Sequence, residues 1–173
     1  MLASRLSAVI GNIISIKQTE FIPGRNILDG VLMVNKVLDL AKREKKICLV
    51  MKVNYKKPYD NMSLKYLRFL LIKMGFGKNW RSWMEACVFK SSMSVMVNGS
   101  ATDDFKVERG LRQGDPLFPF LFVIAMEGLT GLVDTTMEQK EFKGFKINDK
   151  EYVDILQFVA DTIILCDRGS GHL

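Results

Sequence analysis

The sequence predicts an α+β fold in which helices cover one face of an antiparallel sheet. Two observations lead to this prediction. Apolar residues recur at helical spacing over several long stretches, and other stretches are short apolar runs bounded by turn residues, which are typical of strands. These helical and extended stretches follow each other irregularly along the chain. With 173 residues, the chain has the length of one domain or of a piece of a larger one.

The first 54 residues predict two helices and a strand. Residues 1–16 show an amphipathic helical pattern, and the Pro-Gly pair within residues 21–25 indicates a loop. A second helix is expected over Ile27–Lys46, with Asn26 as its N-cap. Its basic C-terminal residues suit the negative end of the helix dipole, although a solvated helix end is the simpler explanation. Ile47–Asn54 is expected to follow as a buried strand.

The remaining residues predict three helices, a hairpin and three strands. Asp60, Asn61 and Ser63 are candidate helix caps, and we interpret Asp60 as a cap. Asn98-Gly99 is a strong hairpin-turn signal. The expected elements are helices over Leu64–Met74, Trp80–Phe89 and Leu117–Met137, a hairpin of Ser94–Val97 with Phe105–Val107, and strands over Phe142–Ile147, Tyr152–Phe158 and Thr162–Cys166.

The composition restricts the class of partner and the kind of site. A net charge of +6 is compatible with a polyanionic partner, because Lys and Arg that neutralise phosphates release counterions, but many basic proteins bind no nucleic acid. Cys48, Cys87 and Cys166 are far apart and predict buried free thiols in a reducing compartment. The single histidine, His172, is a terminal residue that offers no zinc site. No signal peptide or membrane-spanning stretch is evident, so no membrane association is expected.

The strongest chemical motif is a polar loop before the long helix. It reads R-G-L-R-Q-G-D-P-L-F-P-F over Arg109–Phe120. Its glycines allow close approach to a ligand, Gln113 offers a donor and an acceptor, and the following helix N-terminus favours an anion. From chemistry alone, a capped loop before a core helix is an equally good explanation. The run closely resembles the R-G-L-R-Q-G-D-P-L-S-P block of reverse transcriptases from plant LINE-type (non-LTR) retroelements, with Phe118 at the serine.

Further blocks of the same family occur in the same order over essentially the whole chain. They are Gln18–Asp29, similar to Q-x-x-F-I-P-G-R-x-I-x-D, Met51–Asp60, similar to the palm motif K-V-D-F-x-K-A-Y-D, Met74–Phe76 with Trp80–Trp83, and Leu156–Thr162, similar to L-Q-F-A-D-D-T. The resemblance implies the fingers and palm of a right-hand polymerase. Residues 1–46 would be fingers-side helices and loop, and residues 47–173 the palm. The thumb is missing, and the copy looks truncated and degenerate.

The family implies RNA-directed DNA polymerase activity, in which deoxynucleotides are added to a primer. The implied partners are an RNA template, a DNA primer and deoxynucleoside triphosphates, and the implied cofactor is Mg²⁺. Two such ions, roughly 3.5–4 Å apart, would be held by carboxylates. Family habit also implies an intracellular location, in the cytoplasm or the nucleus.

The expected metal ligands are depleted. Asn54 replaces the aspartate of the first palm motif, and Ala160 replaces the first aspartate of the pair. Asp161 is therefore the only surviving metal ligand and catalytic carboxylate. An amide carries no charge and alanine has no ligand atom, so we expect a loss of about three or more decades in rate.

The resemblance also assigns nucleotide-binding residues. Tyr59 matches the aromatic residue whose bulk excludes a ribose 2′ hydroxyl, and a buried core tyrosine is the alternative. Gln113 and Gly114 would line the nucleotide pocket. Arg25 and Lys52 would contact phosphate, although a lone arginine after Pro-Gly is more often a surface residue. Three hypotheses therefore stay open: a polymerase domain, a catalytically dead relic that binds nucleic acid, and a non-functional product of a decayed element.

Overall fold

The computed structural model describes residues 1–112, 114–149, 151–158 and 161–167. These residues form an α+β fold, as predicted. The helices are α1 (Leu2–Ile13), α2 (Ile27–Glu44), α3 (Leu64–Lys73), α4 (Lys78–Met84), continued by a π-helical turn (Glu85–Phe89), and α5 (Phe118–Glu138). The strands are β1 (Cys48–Asn54), β2 (Ser92–Met93), β3 (Met96–Val97), β4 (Ser100–Ala101), β5 (Phe105–Lys106), β6 (Phe145–Lys146), β7 (Tyr152–Val153), β8 (Ile155–Phe158) and β9 (Asp161–Asp167).

The central sheet is antiparallel and has the strand order β1-β9-β8. A short segment of the loop between α1 and α2 extends this sheet at its β8 edge. The backbone N–H of Gln157 donates to the Lys17 carbonyl at 2.8 Å, and the N–H of Thr19 donates to the Gln157 carbonyl at 3.2 Å. The N-terminal segment is thereby fixed beside the hairpin that leads to Asp161.

Helices pack against both faces of β8, which differs from the prediction of one covered face. Val37 of α2 packs with Leu156 and Leu165. Gln157, whose side chain points to the opposite face, donates from its amide to the carbonyl of Met126 in α5 at 3.0 Å. The larger core lies elsewhere, between α1, α3 and α5.

Helix α5 is long and apolar enough to cross a membrane by length and composition alone. Eight of its residues are buried in the protein, among them Phe122, Ile124 and Thr130. These contacts are those of the central helix of a folded core. The Asn26 cap of α2 is confirmed, because its side chain accepts the N–H of Leu28 at 3.0 Å.

Strand β1 is not the buried strand that its apolar run predicts. Leu49, Val50 and Met51 are 51%, 45% and 55% exposed. In the described part of the chain, β1 pairs only with β9, so it is the edge of the sheet and both its faces are largely open. The three cysteines are free, as predicted, but none of them is buried: Cys48 on β1 and Cys166 on β9 are half-buried, and Cys87 in the π-helical turn is exposed.

Two further predictions of local structure are wrong. Asn98-Gly99 does form a turn with positive φ at both residues, 50° and 83°, but it joins β3 to β4. Phe105–Lys106 pairs instead with β2, further from the turn. The cap of α3 is Ser63 rather than Asp60, because the Ser63 hydroxyl accepts the N–H of Tyr66 at 3.3 Å. His172 lies outside the described residues.

Candidate active site

The ends of β1 and β9 bring two of the predicted site residues together. Asn54, the last residue of β1, is the register partner of Asp161, the first residue of β9. The antiparallel pairing of β8 with β9 places Phe158, at the end of β8, opposite Asp161 on the other side. Ala160 lies outside the described residues. The backbone pairing of β1, β9 and β8 thus forms the corner at which the resemblance predicts the family's carboxylates.

A lysine neutralises the carboxylate at this corner. Lys52 is two residues before Asn54, so their side chains share one face of β1. The Nζ atom of Lys52 lies 3.3 Å from Oδ2 of Asp161, and the two side chains are 60% and 42% exposed. Both residues line a groove against α2, whose other walls are Ile27, Val31, Val34, Asn35, Phe158 and Ile163.

These residues do not fit a pair of divalent cations. Mg²⁺ requires hard oxygen ligands and usually one or two carboxylates. Here the corner offers one carboxylate, already paired with an ammonium group, and one neutral amide. Within the described residues, no cluster of three or more His, Cys, Asp or Glu side chains is arranged to hold a metal ion.

Tyr59 lies against the start of α5. Its ring centroid is 4.6 Å from that of Phe118 and 4.7 Å from that of Phe122. Burial raises the pKa of the Tyr59 phenol, and the negative charge of Glu20 raises it further. Phe118, which stands where the family has serine, therefore adds an aromatic contact that fixes the tyrosine ring.

The glycine-rich loop is tied to the segment that follows β1. The N–H of Gly110 donates to the Met62 carbonyl at 2.8 Å, and the N–H of Leu111 donates to the Tyr59 carbonyl at 3.1 Å. Gly110 has a φ of +90°, and a Cβ there would lie 3.1 Å from the carbonyl oxygen of Asp60. A glycine is required at this position because both the backbone angle and the close approach disfavour a side chain.

The end of this loop forms the start of α5. Gly114 has a φ of +88° and is exposed. Oδ1 of Asp115 accepts the N–H of Leu117, the residue that precedes α5, at 2.9 Å. Gln113 lies outside the described residues. The structure thus brings the loop to Tyr59, whereas no hydrogen bond or ion pair of the described residues joins Gly114 or Tyr59 to Asp161.

Arg25 is held by backbone carbonyls. Its guanidinium donates to Ser15 at 2.5 Å, Gln18 at 2.7 Å, Ile14 at 2.8 Å and Gly11 at 3.1 Å. These carbonyls lie at and just after the end of α1, where carbonyls have no partner within the helix. Contact between Arg25 and a phosphate stays a prediction, but the geometry already explains the residue as a tie between α1 and the following loop.

Sequence reasoning did not identify a polar network beside this loop. Lys17 Nζ lies 2.5 Å from Oδ1 of Asp134 and 2.8 Å from Oδ2 of Asp154. Burial alone would lower the pKa of Lys17, but hydrogen bonds to both carboxylates outweigh it and raise that pKa. The only sequence signal was that Gln18 and Gln157, both fully buried next to this network, belong to two of the motif blocks.

Glu127 is a partly buried carboxylate on the same side of α5. Its Oε1 accepts the N–H of Ser15 at 3.1 Å, whereas its buried Oε2 has no hydrogen-bond partner among the described residues. Burial raises the pKa of Glu127, and the nearby charge of Asp134 acts in the same direction, against the hydrogen bond from Ser15. The segment from Ser15 to Arg25 is therefore connected by polar contacts to α1, α5 and β8.

One family model matches the whole chain, and two relatives encoded by transposable elements match most of it. The family described as reverse transcriptase (RNA-dependent DNA polymerase) matches residues 1–173. The uncharacterized 149 kDa protein of transposon TX1 from Xenopus laevis is 27% identical over 161 residues, which are 93% of this chain and 12% of that protein. The Pol polyprotein of the type-2 retrotransposable element R2DM from Drosophila melanogaster is 25% identical over 162 residues, 94% of this chain and 15% of that protein.

Solved structures share the fold at low sequence identity. A telomerase from Candida tropicalis, in complex with a fragment of telomeric RNA, superposes with a TM-score of 0.66 at 13% identity, covering 98% of this chain and 29% of that one. This likeness shows the polymerase fold. The chain spans less than a third of that structure and about an eighth of the TX1 protein.

Proposed function

Because this chain belongs to the reverse transcriptase family and is similar to proteins of the TX1 transposon and of the R2DM retrotransposable element, we propose that it is a LINE-type domain that binds a primed RNA template but has lost most catalysis. The template, the primer and the deoxynucleoside triphosphates are part of this proposal, since the chain spans only a small part of its relatives. A plant origin and the division between fingers and palm at residue 46 likewise stay predictions.

One observation carries the proposal. Asn54 and Asp161 are register partners at the corner where the family has its carboxylates, and Lys52 pairs with the single carboxylate left. The backbone that would support the chemistry is retained, while the charge that the chemistry requires is reduced. Family members use divalent metals such as Mg²⁺. For this chain we propose that such binding is lost, because an amide and one neutralised carboxylate cannot compensate a divalent charge.

The contacts of Tyr59 and Arg25 support specific roles for the proposed nucleotide-binding residues. Tyr59, fixed by the Phe118 and Phe122 rings, would exclude a ribose 2′ hydroxyl by bulk. Gln113 and Gly114 would line the nucleotide pocket beside the start of α5. Arg25 would act by holding the loop after α1, and it would contact phosphate only after releasing carbonyls that it now binds.

Primer extension on an RNA template tests the loss of catalysis. The unmodified chain is compared with the double variant Asn54→Asp plus Ala160→Asp, in Mg²⁺ and in Mn²⁺. We expect extension by the double variant to be at least about a thousandfold faster, which corresponds to about 4 kcal/mol of transition-state stabilisation. The matched control adds Asp161→Asn to the double variant. Equal rates for the unmodified chain and the double variant would overturn the proposal.

Retained binding is tested separately. Fluorescence anisotropy with a labelled RNA–DNA primer–template measures affinity as salt is raised. Because Lys and Arg that neutralise phosphates release counterions, we expect the logarithm of the affinity to fall linearly with the logarithm of the salt concentration. Affinity that does not respond to salt, or no saturable binding at low salt, would favour a product without function.

A further inference from the structure

We propose that Lys52 takes the charge-balancing place of a divalent cation in this chain. Its ammonium group lies 3.3 Å from the carboxylate of Asp161, at the corner that Asn54 completes. The inference deepens the proposed function and rests on its identification of this corner as the family's cation site. It assigns to Lys52 the role of neutralising Asp161, and it predicts that divalent cations bind more tightly when the charge of Lys52 is removed.

The strand geometry places the ammonium group at this position. Lys52 and Asn54 lie on one face of β1 because side chains alternate along a strand. Asn54 is directly opposite Asp161, so Lys52 reaches the carboxylate diagonally from the neighbouring strand. With side chains 60% and 42% exposed, the ion pair is solvated and contributes little to folding stability. Its importance lies in the net charge of the corner.

The charge of the corner differs from that of the family pattern. The family's first palm motif contains K-V-D, and its later motif contains A-D-D. Together they would place one lysine beside three carboxylates, which leaves a charge of −2 to attract a divalent cation. Here one lysine faces one carboxylate, and the sum is zero. Lys52 and Asp161 are the ionisable residues among those that line the groove, whose other described walls are aliphatic or aromatic side chains and Asn35. A divalent cation at this corner therefore gains no net Coulombic attraction and is opposed by the ammonium group.

Charge can be restored in steps without altering the backbone. Asn54→Asp brings the sum to −1, and Asn54→Asp with Ala160→Asp brings it to −2. Adding Lys52→Met removes the positive charge but keeps a long aliphatic side chain on an exposed strand. Adding Lys52→Arg instead keeps the positive charge and is the matched control.

Binding of Mn²⁺ alone, followed by the loss of its free-ion EPR signal, is the test. We expect no saturable site in the unmodified chain or in its Lys52→Arg variant up to millimolar Mn²⁺. In the Asn54→Asp and Ala160→Asp background, we expect a saturable site that Lys52→Met tightens about tenfold, equivalent to about 1.4 kcal/mol, and that Lys52→Arg leaves unchanged. Paramagnetic broadening of the amide signals of residues 54 and 161 in NMR spectra shows whether the bound ion lies at this corner.

Several outcomes would overturn the inference. A saturable site in the unmodified chain that broadens residues 54 and 161 would do so, as would equal affinities for the Lys52→Met and Lys52→Arg chains in the double-aspartate background. Far-UV circular dichroism of each variant confirms that folded proteins are being compared. The proposed function can be contradicted without contradicting this inference. A double variant that binds Mn²⁺ as described but extends no primer contradicts the proposed function and leaves the role of Lys52 intact.

Discussion

Two polar regions of the molecule, one beside β8 and one at the ends of β1 and β9, differ in how many of their expected polar groups are present. Around Ser15–Arg25, polar side chains join elements of the fold: Gln157 bonds to α5, Lys17 bonds to two carboxylates, and Arg25 binds four carbonyls. At the ends of β1 and β9, the carboxylates that the family pattern requires are reduced to Asp161. The first region joins elements of the fold, and the second lies open to solvent.

The difference has a physical cause. A polar group that is buried with its partner is costly to replace, because the remaining partner is left unsatisfied in a low-dielectric environment. Clustered exposed carboxylates repel one another, so replacing one with a neutral residue leaves the fold intact and relieves repulsion. Replacement of carboxylates at the corner is therefore expected to have little effect on folding, whereas loss of the network around Lys17 would destabilise the protein.

The largest expected effect on stability comes from breaking the buried network. Asp154→Ala removes a buried carboxylate, leaves Lys17 with Asp134 alone, and frees the N–H of Ile155, which Asp154 now accepts at 2.6 Å. We expect the free energy of unfolding to fall by about 2–3 kcal/mol. Urea denaturation followed by circular dichroism measures this change.

The control for that substitution is Asp149→Ala. Asp149 forms an ion pair with Lys146 at 2.8 Å, but its side chain is 97% exposed. We expect no resolvable change in unfolding, because exposed pairs are solvated and screened. Equal destabilisation by Asp154→Ala and Asp149→Ala would show that burial of a carboxylate does not determine how much its loss destabilises the fold.

A smaller effect is expected where α2 packs on the hairpin that leads to Asp161. A Cβ added to Gly30 would lie 2.5 Å from Cε1 of Phe158, so the ring must move. The gain in helix propensity offsets part of the strain, and we expect Gly30→Ala to destabilise by about 1 kcal/mol. Thermal unfolding provides the measurement.

Gly131→Ala is the matched helical control. Apart from its chain neighbours and the backbone of its own helix, no atom of the described residues lies within 4 Å of a Cβ built there, and the residue is exposed in the interior of α5. The substitution is expected to stabilise by about 0.5–1 kcal/mol, through helix propensity alone. A destabilising Gly131→Ala, or a stabilising Gly30→Ala, would contradict the packing described for α2 and Phe158.

The smallest expected effect concerns pH. The pKa of Glu127 is raised above its ordinary value of 4.5, mainly by burial, so the folded protein binds this proton more tightly than the unfolded chain does. Its contribution to stability is therefore full at low pH and is lost as pH rises through 4.5 and the folded-state pKa. Glu127→Gln should remove this contribution and flatten the stability profile over that window.

Urea denaturation at a series of pH values checks the prediction for Glu127. The expected difference between the Glu127→Gln variant and the unmodified chain is below about 1 kcal/mol at neutral pH, with the variant the more stable. An unchanged pH profile, or a variant that is less stable at neutral pH, would show that the charge of Glu127 is compensated in the fold.

Helix boundaries were largely predictable because the signals are local. The helical spacing and the Asn26 cap predicted α2, and its C-terminal end differs by only two residues. The exposure of β1 was not predictable, since an apolar run does not reveal whether a strand lies at the centre or the edge of a sheet. The turn at Asn98-Gly99 was identified, but the partner of Phe105 depends on register, which is set by longer-range packing.

The candidate site was predicted through motif positions and their chemistry. Asn54 and Asp161 could be paired by resemblance, and their register agrees. Two other contacts were not predictable, namely the ion pair between Lys52 and Asp161 and the carbonyl contacts of Arg25. Both depend on side-chain conformation in the folded protein, which the spacing of residues along the chain does not specify. The network of Lys17, Asp134 and Asp154 joins residues more than a hundred positions apart and gave no local signal.

The most direct test of the central claim is the ratio of single-turnover primer-extension rates for two chains on one RNA template. One is the unmodified chain, and the other carries Asn54→Asp and Ala160→Asp. If the fold is retained and only the charge of the corner is lost, the ratio should favour the double variant by about three decades or more. Equal rates, at equal occupancy of the primer–template, would contradict the claim that these two positions separate this chain from an active polymerase domain.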